Sequence, residues 1–446
     1  MRYLGAVMAS VLAVGAIAFG TSAETIVPSV ATSFAIGDGN VAFATDRGPA
    51  TRSGRVTSLP ANPKPRWSVN IGTRLDWPPV VDGNGKIVVA TSHNGEGLVV
   101  ELDGASGKGL SSTKLRSAVS ATEPLVEGLA VVQADAAAGP VVLLANGTRV
   151  VVTIRGYALG IAPGGALLFR TRLGGELSSV PRVGVVPLPG GGFTVARRPE
   201  VIELDAHGNI VDRVRLELGP YLAARESGEV LGVSANGELV GWRAARVPRI
   251  YGSFGDKGVN FDGPCRGGLV LDGVASPPPG GRRERVVCVS EHLVEQIDLA
   301  SGVRKALLGD AIGKLPYRTA PAVGKGGEVV TAIAGGALVG LGPLGNELGP
   351  WDLPGAAPLA GFGFGGTKDG GVVFVGSVGE VAPLVANDGT VAWASSDGVA
   401  LLRAGVATRV ARCSGFASSS MAGLSSAGPG TLLIACADGK LQLIGD

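Results

Sequence analysis

The sequence predicts an all-β protein, a β-propeller of about eight four-stranded antiparallel blades, and three observations predict it. One strand-turn-strand phrase returns along the chain, with versions at residues 39–59, 86–103, 192–208, 228–242, 286–302, 328–345, 371–389 and 430–443. A second register mark is the polar turn that closes on Gly107, Gly165, Gly208, Gly302, Gly345 and Gly389. Its spacing is 43 or 44 residues from Gly165 to Gly208, Gly302 to Gly345 and Gly345 to Gly389 and 58 from Gly107 to Gly165, and the gap from Gly208 to Gly302 holds one further unit around residues 237–242. The third mark is a pair of cysteine pairs, Cys265 with Cys288 and Cys413 with Cys436, each separated by 23 residues. A unit of this size cannot bury its own apolar face, so copies must stack, and a period of about 40–50 residues is that of a propeller blade.

The unit is legible at residues 77–115. A short apolar entry ends at Val80 and Val81, the Asp82-Gly83-Asn84-Gly85 turn follows, and strands are predicted over 86–91, 98–102 and 110–115. The runs are short, valine-rich and bounded by Gly/Asn/Asp clusters, which is the antiparallel signature, and no space is left for crossover helices. Glycine, at 73 residues without a Gly-X-Y period, suits many tight turns. Two stretches depart from the pattern. Between residues 123 and 172 the runs 141–145 and 150–154 compete for one strand position. Residues 255–285 read as a long glycine- and proline-rich insertion, with Arg282-Arg283-Glu284-Arg285 as a solvated loop tip. The eighth blade ends after its third strand, KLQLIG, so a strand near the N-terminus is expected to close the ring, with residues 24–30 the candidate. Seven blades is the alternative count, because residues 139–165 and 389–404 each suit half a blade.

The first 23 residues carry Arg2 and then an apolar run over 4–19, ending Thr21-Ser22-Ala23. This reads as an export signal, with a membrane anchor as the competing reading, and residues 24–446 are expected to form one propeller domain. No cysteine sits at the cleavage point, so the mature protein is expected to be unlipidated, without a transmembrane segment, and periplasmic or extracellular. In such a compartment the cysteines are read as disulfides, with metal binding and buried thiols as the other readings. The matching spacing places both pairs at equivalent positions of two units. A net charge of +2, from 39 basic and 37 acidic residues, gives no long-range attraction to nucleic acid.

The search for chemistry finds no nucleophile-base motif and no metal-ligand spacing. His93, His207 and His292 fall in polar turns of different units, and the Gly363-Phe364-Gly365-Gly366 stretch precedes no predicted helix. No cofactor is expected. Two function classes follow: a non-catalytic interaction scaffold with a protein partner, expected to be monomeric itself, or an enzyme using the channel mouth. Aromatic and arginine side chains favour protein contacts, and Trp242, Arg246, Arg249, Tyr251 and Phe254 fall in one loop-rich stretch.

Four residues after a turn glycine a large aromatic recurs, as Phe169 after Gly165 and Trp393 after Gly389, and Trp67 ends the comparable phrase GRVTSLPANPKPRW. Together with the apolar-Asp-x-x-x-Gly turn, this resembles the repeats of the PQQ-type β-propeller superfamily over nearly the whole mature chain. The resemblance implies that Trp67, Phe169 and Trp393 pack against neighbouring blades. The equivalent places after Gly107, Gly208 and Gly302 hold Ser111, Asp212 and Ala306. Quinoprotein dehydrogenases of that superfamily hold quinone and calcium with a dedicated residue set and often an adjacent cysteine pair, neither of which can be placed here. Its non-enzymatic branch includes periplasmic propellers of outer-membrane assembly, which this chain resembles in size, export and blade type.

Overall fold

The computed structural model describes residues 54–75, 77–93, 96–115, 135–174, 183–251, 261, 265, 268–275, 282–290, 293–308, 319–325, 327–332, 338–341, 347–351, 381–395, 398–413 and 421–446. Among these residues the strands form eight sheets, each with four antiparallel strands running from an inner to an outer one. Blade 1 comprises Val80–Val81, Lys86–His93, Glu96–Asp103 and Gly109–Lys114, with Arg74–Leu75 also against its second strand. Blade 2 comprises Val142–Leu143, Arg149–Val152, Tyr157–Ile161 and Leu167–Arg172. Blade 3 comprises Gly184–Pro187, Phe193–Arg197, Glu200–Leu204 and Ile210–Arg215. Blade 4 comprises Ala223–Ala224, Val230–Val233, Leu239–Trp242 and Arg249–Ile250. Blade 5 comprises Gly268–Ala275, Arg282–Val289, Val294–Asp298 and Arg304–Leu308. Blade 6 comprises Ala322–Val323, Val329–Ala332, Leu338–Leu341 and Glu347–Trp351. Blade 7 comprises Leu384–Ala386, Val391–Ser395, Gly398–Arg403 and Val406–Ala411. Blade 8 takes Met421–Ser425, Thr431–Cys436 and Lys440–Gly445 from the C-terminus and Lys64–Asn70 as its outer strand.

The core lies between blades. Strand alternation sends successive side chains to opposite sheet faces, so each blade packs against two neighbours. In blade 2, Val141, Leu143 and Val151 meet Val88 and Val99 of blade 1, while Val142, Val150 and Val152 meet Val185, Phe193 and Val195 of blade 3. The pattern continues from blade 3 to 4, 4 to 5, 6 to 7 and 7 to 8. Blades 5 and 6 meet where the Arg285 guanidinium donates to the Gly327 carbonyl at 2.7 Å. Leu433, Leu441 and Leu443 of blade 8 then pack on Val81, Ile87 and Leu102 of blade 1, which closes the ring.

The N-terminal closing strand is therefore real, but it is Lys64–Asn70 rather than residues 24–30, which lie outside the described residues. Lys64 pairs with Gly445 and Asn70 with Lys440. Of the phrase at 39–59 only residues 54–59 are described, and there Arg55–Val56 runs parallel to the inner strand of blade 7, with Arg55 opposite Val385. The runs near 141 and 150 do not compete, because they are the inner and second strands of blade 2, paired Val142 to Val150. Much of the supposed insertion at 255–285 is also strand. Gly268 to Ala275 pairs residue for residue with Val289 to Arg282. Arg285 is thus part-buried in a sheet, not a solvated tip, because its chain must cover the neighbouring blade.

Both disulfides form, Cys265 to Cys288 with Cα atoms 5.4 Å apart and Cys413 to Cys436 at 5.6 Å. In each case the first cysteine lies in the segment leading into an inner strand, not within a strand. Its partner lies at or next to the end of the second strand of that blade. Blades 5 and 8 are thus pinned in the same way, which is why the spacing of 23 recurs. Replacing Cys265 and Cys288 by serine is expected to destabilise by about 3 kcal/mol, from the loop that the bond closes in the unfolded chain. A lower denaturant midpoint with unchanged export is the expected result, and free thiols in natively exported protein would contradict the pairing.

Candidate functional site at the blade joints and the blade 4 hairpin

In blades 1 to 4 the turn between third and outer strands is where the preceding blade docks. Trp67, on the outer strand of blade 8, covers Gly107 of blade 1 and donates its indole N–H to the Gly104 carbonyl at 3.0 Å. Gly107 has φ +72°, and a Cβ there would fall 2.8 Å from the indole, so only glycine fits on both counts. One blade on, Thr113 donates to the Gly165 carbonyl at 2.8 Å, with Ser111 beside it. Next, the Phe169 ring covers Gly208 and Thr171 donates to its carbonyl. Then Asp212 accepts from the Ala245 N–H at 2.7 Å and Glu203 from the Ala244 N–H at 3.1 Å. Trp67, Ser111, Phe169 and Asp212 therefore hold one structural position in four successive blades. A polar residue there changes the chemistry of the joint, not its place.

Trp393 lies between blades by a different route. Gly389 closes the turn between the first and second strands of blade 7, so Trp393 belongs to a second strand. It is 1% exposed and packs against Ala322, Val330 and Leu338 of blade 6. The spacing of 44 from Gly345 concealed this change of strand.

Sequence reading missed the buried charges that lock the joints. Arg149, 1% exposed, reaches from blade 2 to Glu101 and Asp82 of blade 1 at 3.0 and 3.1 Å. Lys86 also pairs with Glu101 at 3.0 Å. Arg55 donates to the Val323 and Gly324 carbonyls of blade 6 and to Asp272 of blade 5, whose other oxygen accepts from Arg285 at 3.1 Å. The one signal in the sequence was an arginine opening the otherwise apolar run Arg149–Val152.

The stretch from Trp242 to Tyr251 forms the outer hairpin of blade 4. Its two aromatic rings face inward: Trp242 is 1% and Tyr251 3% exposed. They anchor the hairpin, and Trp242 fills the core between blades 3 and 4. Arg246 and Arg249 are exposed, and Phe254 lies outside the described residues. Tyr251 donates to Glu229 at 2.6 Å and accepts from Arg225 at 3.1 Å, and Arg225 crosses to Glu284 of blade 5 at 3.0 Å. Burial alone would lower the Arg225 value, but its hydrogen bonds to Glu284 and Glu229 outweigh burial and hold it above the ordinary arginine range. Burial and then the Glu229 carboxylate push the Tyr251 phenol up to about 12. The folded state therefore keeps this phenol neutral after an unfolded tyrosine has ionised. Its support for the fold is complete below about pH 10 and lost as pH rises through 12. Ultraviolet titration is expected to show one of the five tyrosines ionising late, and Glu229→Gln is expected to bring it earlier.

Outside this base, the hairpin turn is held by Glu203 and Asp212, with Ala245 at φ 58°. Burial raises the Glu203 carboxyl, and neighbouring Asp212 adds to it, against the Ala244 N–H. The tip presents Val247, 89% exposed, and Ile250, 46% exposed, beside Arg246 and Arg249. Arg249 lies 4.6 Å from the Tyr251 ring centre, which restrains it. His93 and His207 are exposed, and His292 and residues 363–366 lie outside the described residues. Among the described residues no group of three or more His, Cys, Asp or Glu is placed to hold a metal ion, and no helix is long and apolar enough to cross a membrane.

Residues 52–139, which include the Trp67 joint and blade 1, match the family model of outer membrane protein assembly factor BamB. No curated protein matches the sequence. Among solved structures, BamB from Moraxella catarrhalis superposes with a TM-score of 0.56 at 15% identity, covering 86% of this chain and 100% of that one. The C-terminal WD40 domain of Sif2 gives 0.55 at 10% identity, over 87% and 99% of the two chains. The Dos1 propeller gives 0.53 at 10% identity, over 86% and 95%. At these identities the superpositions establish the fold. The chain has a β-propeller fold, and its residues 52–139 are similar to the family model of outer membrane protein assembly factor BamB.

Proposed function

We propose that the protein is a non-catalytic interaction scaffold of the cell envelope, exported to the periplasm or beyond and holding a protein partner. The observation that carries this reading is the blade 4 hairpin. Its base is fixed by Tyr251, Arg225 and Glu229 and its turn by Glu203 and Asp212, while Arg246, Val247, Arg249 and Ile250 stand outward. A rigid tip of arginine and aliphatic side chains binds without a large ordering cost. The buried acids and arginines support the same reading, since Arg149 with Glu101 and Asp82 and Arg55 with Asp272 neutralise one another across blade joints. The match of residues 52–139 to an assembly-factor model agrees with an envelope role.

Crosslinking in native envelopes followed by mass spectrometry tests it. One specific envelope protein is expected to be captured through the hairpin and lost with Arg246→Glu and Arg249→Glu. Stoichiometric binding of PQQ with calcium, followed by dye-linked alcohol oxidation, would contradict the scaffold reading.

A further inference from the structure

The net charge of +2 conceals a segregation. The outer strands of the eight described blades together carry eleven lysines and arginines against two acids, Asp212 and Glu347. Basic residues on open edges discourage pairing between copies, and some here are matched to third-strand carboxylates, as Lys114 to Glu96 and Arg213 to Glu200. Blades 2 and 3 carry something more regular. Leu168, Arg170 and Arg172 on one outer strand correspond to Val211, Arg213 and Arg215 on the next, position for position and 43 residues apart.

Their direction follows from the joints. Phe169 and Thr171 face blade 3, so alternation turns Leu168, Arg170 and Arg172 the other way. Arg170 accordingly lies over the Tyr157 ring at 5.1 Å, on the face toward blade 1. Asp212 faces blade 4, so Val211, Arg213 and Arg215 face back toward blade 2. Leu168 and Val211 are each 56% exposed, and each outer strand is hydrogen-bonded on one side only. The same apolar-x-Arg-x-Arg stripe thus stands on two successive sheet edges.

We propose that the outer edges of blades 2 and 3 receive an acidic, extended segment of a partner protein. Two carboxylates at alternate positions match the arginine spacing of a strand, an apolar residue two positions from them on the same face covers Leu168 or Val211, and the open edge offers main-chain hydrogen bonds. The inference rests on the scaffold reading but uses a surface separate from the blade 4 hairpin. Envelope crosslinking through that hairpin can therefore succeed or fail independently of it.

The test uses the full mature chain and a fluorescein-labelled peptide with two glutamates and one valine at successive alternate positions and threonine between them, followed by fluorescence anisotropy. Saturable, salt-sensitive binding is expected. Arg172→Glu with Arg215→Glu is expected to weaken it by about tenfold or more, while Lys325→Glu, on an exposed turn of blade 6, leaves it unchanged. A peptide N-methylated at alternate residues keeps its charge but not its strand pairing, and is expected to bind more weakly. Absence of saturable binding, equal binding to the charge-reversed variant, or equal binding of the methylated peptide would overturn the proposal. Binding of phosphatidylglycerol vesicles in place of the peptide would overturn it in favour of a lipid surface.

Discussion

Deleting residues 54–70 while keeping the export signal is expected to abolish cooperative folding of the ring. The segment supplies the whole outer strand of blade 8, from Lys64 opposite Gly445 to Asn70 opposite Lys440. It also carries Trp67, which covers the turn of blade 1, and Arg55, which joins blades 5 and 6 from the inner edge of blade 7. Trp67 is part-buried, so its own loss costs less than the about 3–5 kcal/mol of a fully buried tryptophan. Removing Arg55 takes one of two guanidinium partners from Asp272, whose side chain is 2% exposed. Added to a lost strand ladder, these terms are comparable to a domain's whole margin of about 5–15 kcal/mol. Thermal unfolding followed by circular dichroism is expected to lose its sharp transition, and a synthetic 54–70 peptide is expected to restore it. An unchanged transition would mean that the ring closes by other means.

Replacing Arg149 by leucine is expected to destabilise by about 3–5 kcal/mol, the cost of leaving buried charge without its partner. The guanidinium holds Glu101, with a side chain 4% exposed, and Asp82 across the joint between blades 1 and 2. Lys86 remains on Glu101, which keeps the loss at the lower end of that range. The mechanism separates from simple packing loss in a double-mutant cycle. Combining Arg149→Leu with Glu101→Gln is expected to cost less than the sum of the two single changes. Strict additivity in denaturant melts would show that the pair is not coupled.

The repeat made the blades legible, because an apolar run between Gly/Asn/Asp turns can do little but form a strand when its neighbours do the same. Blade 1 follows its predicted limits closely, and the cysteine spacing foretold two equivalent disulfides. Reading failed where register depends on tertiary partners. Residues 64–70 carry polar and aromatic residues without the valine-rich pattern, since an outer strand is half exposed; its strand character comes from the C-terminal strand beside it. Gly389 kept the period but belonged to a different turn, which moved Trp393 to a second strand. The joints at Ser111 and Asp212 carry no aromatic: beside Ser111 the Thr113 hydroxyl donates to the Gly165 carbonyl, and the Asp212 carboxylate accepts from the Ala245 N–H. Of the hairpin residues, Trp242 and Tyr251 were drawn in by their apolar rings, and the arginines marked the exposed side.

Every joint described above depends on the ring being closed by residues 64–70 against the C-terminal strand. Ser68 faces Gln442 across that pair. With Ser68→Cys and Gln442→Cys introduced into the exported protein, non-reducing peptide mapping is expected to recover a bond between these two positions beside both native disulfides, with the melting transition retained or raised. Unpaired thiols at 68 and 442, together with both native bonds intact, would contradict the closure.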